Sequence, residues 1–124
     1  MALPIKTSEI LKKTGGNTFV AGINNQTGTT YTLADTDAGK VVRLDNANPI
    51  TLTVPKNATT EIPVNTVIHL CQVGAGEVEV VPEETGPDVP TLNGNLHSAF
   101  QYAYLTLIKV ADDVWDVVGG VEGE

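Results

Sequence analysis

The feature that most limits how this chain can fold is a series of short apolar runs, broken by turn residues about every ten positions. Ile50-Thr51-Leu52-Thr53-Val54 sets Ile50, Leu52 and Val54 on one side and Thr51 and Thr53 on the other. That period of two marks a strand with one buried face. Pro55 ends it, because proline has no N–H to give the ladder. Glu77-Val78-Glu79-Val80 alternates in the same way, with valines inward and glutamates in water. Residues 67–72 are almost continuously apolar, as in a strand buried on both faces. Further strands are expected at residues 31–33, 40–44, 101–110 and 114–118. The last two form a hairpin around Ala111-Asp112-Asp113, with Leu105 and Leu107 facing away from Thr106 and Ile108.

Between these runs lie Asp- and Gly-rich turns at residues 34–39, 45–49 and 73–76, and a proline-rich acidic loop at 82–90. No segment carries the 3.6-residue period of a long helix. The expectation is an all-β chain, a compact antiparallel β-sandwich or small barrel. No spacing is regular enough to suggest a solenoid. The first 29 residues differ from the rest. One or two helical turns are expected over 8–13, capped by Thr7 and broken at Thr14-Gly15-Gly16-Asn17. A short strand is expected at 18–21 and a polar loop at 24–30. The organisation expected is an N-terminal arm (1–29), a β domain (30–120) and an acidic tail (121–124).

A length of 124 residues is enough for one domain with a real core. Fifteen acidic side chains against seven Lys and Arg give a formal charge of −8. That balance repels phosphate backbones and anionic lipid, so neither nucleic acid nor membrane is expected as a direct partner. No apolar run approaches the roughly 18 residues of a membrane span. Met1-Ala2-Leu3-Pro4-Ile5-Lys6 lacks the basic start and apolar stretch of a signal peptide. The sequons at Asn25 and Asn57 have no evident secretion route and read as chance.

The residues that carry chemistry are few. Cys71 is the one cysteine, so no intrachain disulfide forms, and its apolar run marks it as a packing residue. With only His69 and His97 beside it, a structural zinc site is not assembled. A Cys71–His97 dyad lacks any nucleophile motif around the cysteine. Gly74-Ala75-Gly76 is followed by a strand, where a phosphate loop needs a helix N-terminus, so it reads as a turn. The carboxylate pairs Asp35/Asp37, Glu83/Glu84 and Asp112/Asp113 fall in turns that favour acidic residues locally. Of these, Asp35-Thr36-Asp37 is the best placed to hold an ion by accident. Phe100, Tyr102 and Tyr104 share the spacing of one strand face, which suits an interface, a core or a sugar platform. Trp115 reads as a core anchor. The expectation is a protein that is not an enzyme, with no catalytic, cofactor-binding or metal-binding residues and no cofactor.

Several stretches, taken in order, resemble a module of tailed-phage structural proteins. They are Tyr31-Thr32-Leu33-Ala34-Asp35, Gly39-Lys40-Val41-Val42, Ile50-Thr51-Leu52-Thr53-Val54-Pro55, Gln72-Val73-Gly74-Ala75-Gly76-Glu77-Val78, and the ending from Leu107-Ile108-Lys109-Val110 through Trp115 to Gly119. The resemblance spans residues 30–120, and its order is more specific than any one motif. Such modules occur in tail fibres, tailspikes and head fibres, and are similar to capsid decoration, or cement, proteins. The resemblance implies a virion protein on the capsid surface, assembled in the host cytoplasm. It further implies a homotrimer that contacts the major capsid protein through its β domain and its terminal arm. The alternative it implies is a tail-fibre or tailspike domain binding a host receptor or glycan. A chain this short with its own initiator Met fits a decoration protein or head fibre better.

Overall fold

A computed structural model describes residues 20–119. The all-β expectation holds. Nine strands form two facing sheets. In chain order they are β1 (Ile23–Gln26), β2 (Thr30–Thr32), β3 (Val41–Leu44), β4 (Ile50–Val54), β5 (Val67–Gln72), β6 (Val78–Pro82), β7 (Thr91–Gly94), β8 (Tyr104–Ala111) and β9 (Val114–Gly119). The larger sheet runs β1-β3-β5-β8-β9-β7 and the smaller β2-β4-β6. The expected helical turns at 8–13 and most of the expected strand at 18–21 lie outside the described residues.

The antiparallel expectation holds only for β5–β8 and for the β8–β9 hairpin. The other five pairs are parallel. The chain alternates between sheets, odd strands in the large one and even strands in the small one, through three successive coils. This is a short, flattened solenoid closed by a hairpin. No regular period announced it, because the coils differ in length. Ile23 stacks on Val41 and Val41 on His69, so the second coil carries ten more residues than the first. Most of that excess is the connection between β4 and β5.

Parallel register brings like positions into line. Asn24, Val42, Leu70 and Leu105 form one inward row across the large sheet. Ile68, Leu107 and Val117 form another. Facing them from the small sheet are Ile50, Leu52, Val54, Val78 and Val80, all buried. Trp115, opposite Lys109 in the hairpin, fills the core beside them, as its sequence position suggested. Burying side chains of this size contributes roughly 1.5–3 kcal/mol each, the main favourable term.

The first coil departs from that apolar pattern. Its inward positions are Asn24, Gln26 and Tyr31, and they surround the buried carboxylate of Asp37. Asp37 Oδ2 accepts from the Tyr31 hydroxyl at 2.7 Å and from the Ala34 N–H at 2.9 Å. Its Oδ1 accepts from Asn24 Nδ2 at 2.9 Å, and Asn24 Oδ1 accepts from Gln26 Nε2 at 2.8 Å. This explains two departures from the sequence reading. Residues 23–26 form a strand, not a loop, because their polar side chains are inward partners of a buried charge. The large sheet therefore starts at Ile23, ahead of the boundary expected at residue 30. In Asp35-Thr36-Asp37, both Asp37 oxygens accept hydrogen bonds from protein donors.

Gly74 and Gly76 lie against the backbone of the turn at 46–48. A Cβ on Gly76 would overlap the carbonyl oxygen of Asn48. The Gly76 N–H donates to Asn46 O at 2.8 Å, which ties the third coil to the second. Gly76→Ala is expected to cost more than about 3 kcal/mol in urea denaturation, because backbone sits on both sides of the new methyl. Gly28→Ala, which meets nothing closer than ordinary contact, should lie within about 0.5 kcal/mol of the parent.

The Tyr31 hydroxyl is pushed up to about 12 from an ordinary 10.0, first by burial and then by its bond to Asp37. The folded state therefore holds this proton more tightly than the unfolded one. The stabilisation is complete below pH 10 and is lost as the pH rises towards 12. Denaturation midpoints measured across that window should fall more steeply for the parent than for Tyr31→Phe.

Candidate interaction surface

The described residues bring no catalytic constellation together. Cys71 is buried on the outward side of the large sheet, in register with Arg43 and Tyr104. His97 lies beside the small sheet, with Nδ1 3.7 Å from Glu77 and Nε2 3.9 Å from Glu79. Those two carboxylates meet opposite sides of the ring, so they do not converge on a shared point. The Nδ1 of His69 lies 3.0 Å from the Thr106 hydroxyl across the sheet. Glu83 caps the Lys56 N–H at 2.8 Å and the Thr59 hydroxyl at 3.0 Å, and the first of these holds its carboxyl below the usual range. Asp113 caps the Asn57 N–H at 2.7 Å. Among the described residues, no three His, Cys, Asp or Glu side chains gather to hold a metal ion.

What the structure does assemble is an aromatic surface. Phe100, Tyr102 and Tyr104 are 66, 59 and 49% exposed. Only Tyr104 lies on a strand. Phe100 and Tyr102 belong to the loop leading into β8, so the regular strand face expected for all three is replaced by a ridge.

That loop is held by the end of β5. Ala103 O accepts from the Gln72 N–H at 3.1 Å, and Gln72 O accepts from the Tyr102 N–H. The buried Gln72 side chain takes the Ser98 hydroxyl at 2.5 Å and donates to Gly74 O at 3.0 Å. Ser98 Oγ in turn accepts from the Val78 N–H at 2.8 Å. Gln101 donates to Val73 O at 2.9 Å. A loop anchored at this many points presents its side chains at fixed positions, which lowers the entropy lost on binding.

The Ala103 N–H bonds Phe100 O at 2.9 Å, closing a four-residue turn with Tyr102 in its third position at φ 70. That position ordinarily favours glycine, and a bulky side chain there costs about 1 kcal/mol or more. Here the chain places a large ring at the strained position, with more than half of it left in solvent. Such an arrangement fits a side chain kept for what it contacts outside the fold.

The ridge continues onto the outward face of the large sheet. One row there is Ile23, Val41, His69, Thr106 and Val118, the next Asn25, Arg43, Cys71 and Tyr104. Ile23 and Val118 are half exposed. The Cys71 thiol beside Tyr104 raises the phenol above its ordinary value, burial adds to this, and Arg43 opposes it. Acidic side chains outnumber basic ones among the described residues. Of the basic side chains Lys40, Arg43, Lys56 and Lys109, the last two are buried. The aromatic triplet was legible in the sequence. The roles of Gln72 and Ser98, and the outward placing of Ile23 and Val118, depend on which strands become neighbours.

No protein-family model and no curated protein matches this chain.

Tyr102→Gly is expected to leave stability unchanged or raise it by up to about 1 kcal/mol, because glycine adopts the left-handed turn without strain. Thermal and urea denaturation of parent and variant check this. A loss above about 1 kcal/mol would mean that Tyr102 serves the fold itself.

Proposed function

We propose that this chain is a non-enzymatic structural protein of a tailed-phage virion, decorating or cementing the capsid as an oligomer. The ordered series of motifs over residues 30–120 supports a virion origin. The observation that carries the binding role is the ridge of Phe100, Tyr102 and Tyr104, held rigidly and left open on an otherwise acidic body. Aromatic side chains concentrate the energy of protein interfaces, because each offers a large area with few rotatable bonds. An apolar patch within a like-charged surface also suits a particle coat. Copies repel one another except where the patch finds its complement. In this reading the major capsid protein is the partner, with residues 1–29 adding a second attachment and a homotrimer as the assembled form.

A second reading follows from the same exposure. Three open rings, of which Tyr104 shares a row with Arg43 and Asn25, also suit stacking and hydrogen bonding to a sugar, as in a tail-fibre domain binding host glycan or receptor.

Co-sedimentation with undecorated capsids tests the first reading. The parent should bind, and the Phe100→Ala, Tyr104→Ala double variant should lose tenfold or more in affinity. Light scattering should give a mass of three chains. A strict monomer without capsid affinity sinks the proposal. Binding on a glycan array, abolished by the same double variant, would replace it with the second reading.

A further inference from the structure

Lys109 is 2% exposed, on the inward face of β8 with Leu105 and Leu107. No carboxylate among the described residues lies within ion-pairing distance of its amine. Its Nζ instead meets Asn57 Oδ1 at 2.6 Å and the Ile62 carbonyl at 2.5 Å. The Trp115 ring, paired with Lys109 across the hairpin, stands 5.9 Å away and walls the amine from water. A carbonyl bond is about 1.2 Å long, so Asn57 Cγ is at most about 3.8 Å from Nζ. That approaches the separation of about 3–3.5 Å at which bond formation becomes a near-attack event. Asp113 accepts the Asn57 N–H at 2.7 Å and so fixes the backbone that carries the carboxamide.

From this geometry we infer that Lys109 and Asn57 form an intramolecular isopeptide bond in the folded protein. Nζ attacks Cγ, the Nζ–Cγ bond forms, and the Cγ–Nδ2 bond breaks. Lysine enters as the ammonium, and the departing nitrogen leaves as ammonium, so protons and charge balance without a co-reactant. Two protons pass from Nζ to Nδ2 on the way, one freeing the lone pair that attacks and the other accompanying the nitrogen as it leaves. Asp113, the carboxylate that accepts the Asn57 N–H, is the relay for these protons in this scheme. Burial favours the step twice. It removes the water that would hydrate the amine, and the fold replaces diffusion with a fixed approach. The product replaces a buried amine with a neutral amide. It ties β8 to the long connection after β4, the part of the second coil with least ladder support.

Mass spectrometry of the denatured full chain tests this. The expected mass is about 17 Da below that of the sequence, the mass of one ammonia. Trypsin should leave a branched peptide joining Asn57 to Lys109, uncut after Lys109. Asn57→Ala and Lys109→Met should each restore the full mass. A succinimide at Asn93-Gly94 would give the same loss, so a deficit that persists in Asn57→Ala overturns the inference. So does a parent chain that keeps its full mass after long incubation folded at neutral pH. Asp113→Ala should accumulate the lighter form at least tenfold more slowly. Equal rates would remove Asp113 from the step while leaving the bond itself in place.

Discussion

A parallel coil has to set its inward side chains directly over those of the next coil, and this stacking governs the rest of the structure. Val42 rests on Leu70 and Leu52 on Val80 because the register allows no other neighbours. The interior coils can therefore be apolar throughout. Among the described residues the first coil has a neighbouring coil on one side only, and its inward positions are Asn24, Gln26 and Tyr31. Asp37 supplies the acceptors that make those side chains tolerable in a buried place. A buried carboxylate stabilised by neutral donors alone is costly to assemble, but it fits one arrangement and no other, which favours a single register. Gly74 and Gly76 apply the same constraint through backbone contact, since coils this close leave no space for a side chain there.

Much of this was legible in the sequence, and the reason is local. Alternation in Ile50–Val54 and in Glu77-Val78-Glu79-Val80, the proline stop at Pro55 and the Asp112-Asp113 turn each depend on a few adjacent residues. The inward and outward sides of β4, β6 and β8 follow from them. What stayed hidden depends on residues far apart in the chain. Strand direction is a property of pairs, and alternating residues look alike in parallel and antiparallel neighbours. Asn24 and Gln26 look like loop residues until Asp37 is placed beside them. The β7 strand, Thr91-Leu92-Asn93-Gly94, has almost no apolar signal of its own and is a strand because β9 lies alongside.

The candidate surface divides in the same way. Phe100, Tyr102 and Tyr104 were recognisable by composition and spacing. Their exposure was not, because it depends on Gln72 and Ser98 holding the loop away from the core. The buried lysine is the strongest case of a feature the sequence conceals. Lys109 sits in the run Leu107-Ile108-Lys109-Val110, where an outward side chain is the ordinary expectation. The register shift comes only after it, between Lys109 and Ala111, so the alternation of β8 runs unbroken through the lysine. Lys109 keeps the inward phase of Leu105 and Leu107, and its amine comes to rest between Asn57 and Trp115.

The order of strands in the large sheet also sets a sequence of events during synthesis. The second and third coils can each lay down on the one already made, because its neighbour precedes it in the chain. β7 cannot do this. Among the described residues its one ladder partner is β9, which is translated about twenty residues later and is joined to β5 only through β8. The far edge of the sheet thus stays unsealed until the hairpin has emerged. During that interval the inward side chains of β5 face solvent along one side. A chain stalled before Trp115 would expose an apolar strand edge to its neighbours, and its hazard is association with other copies before completion.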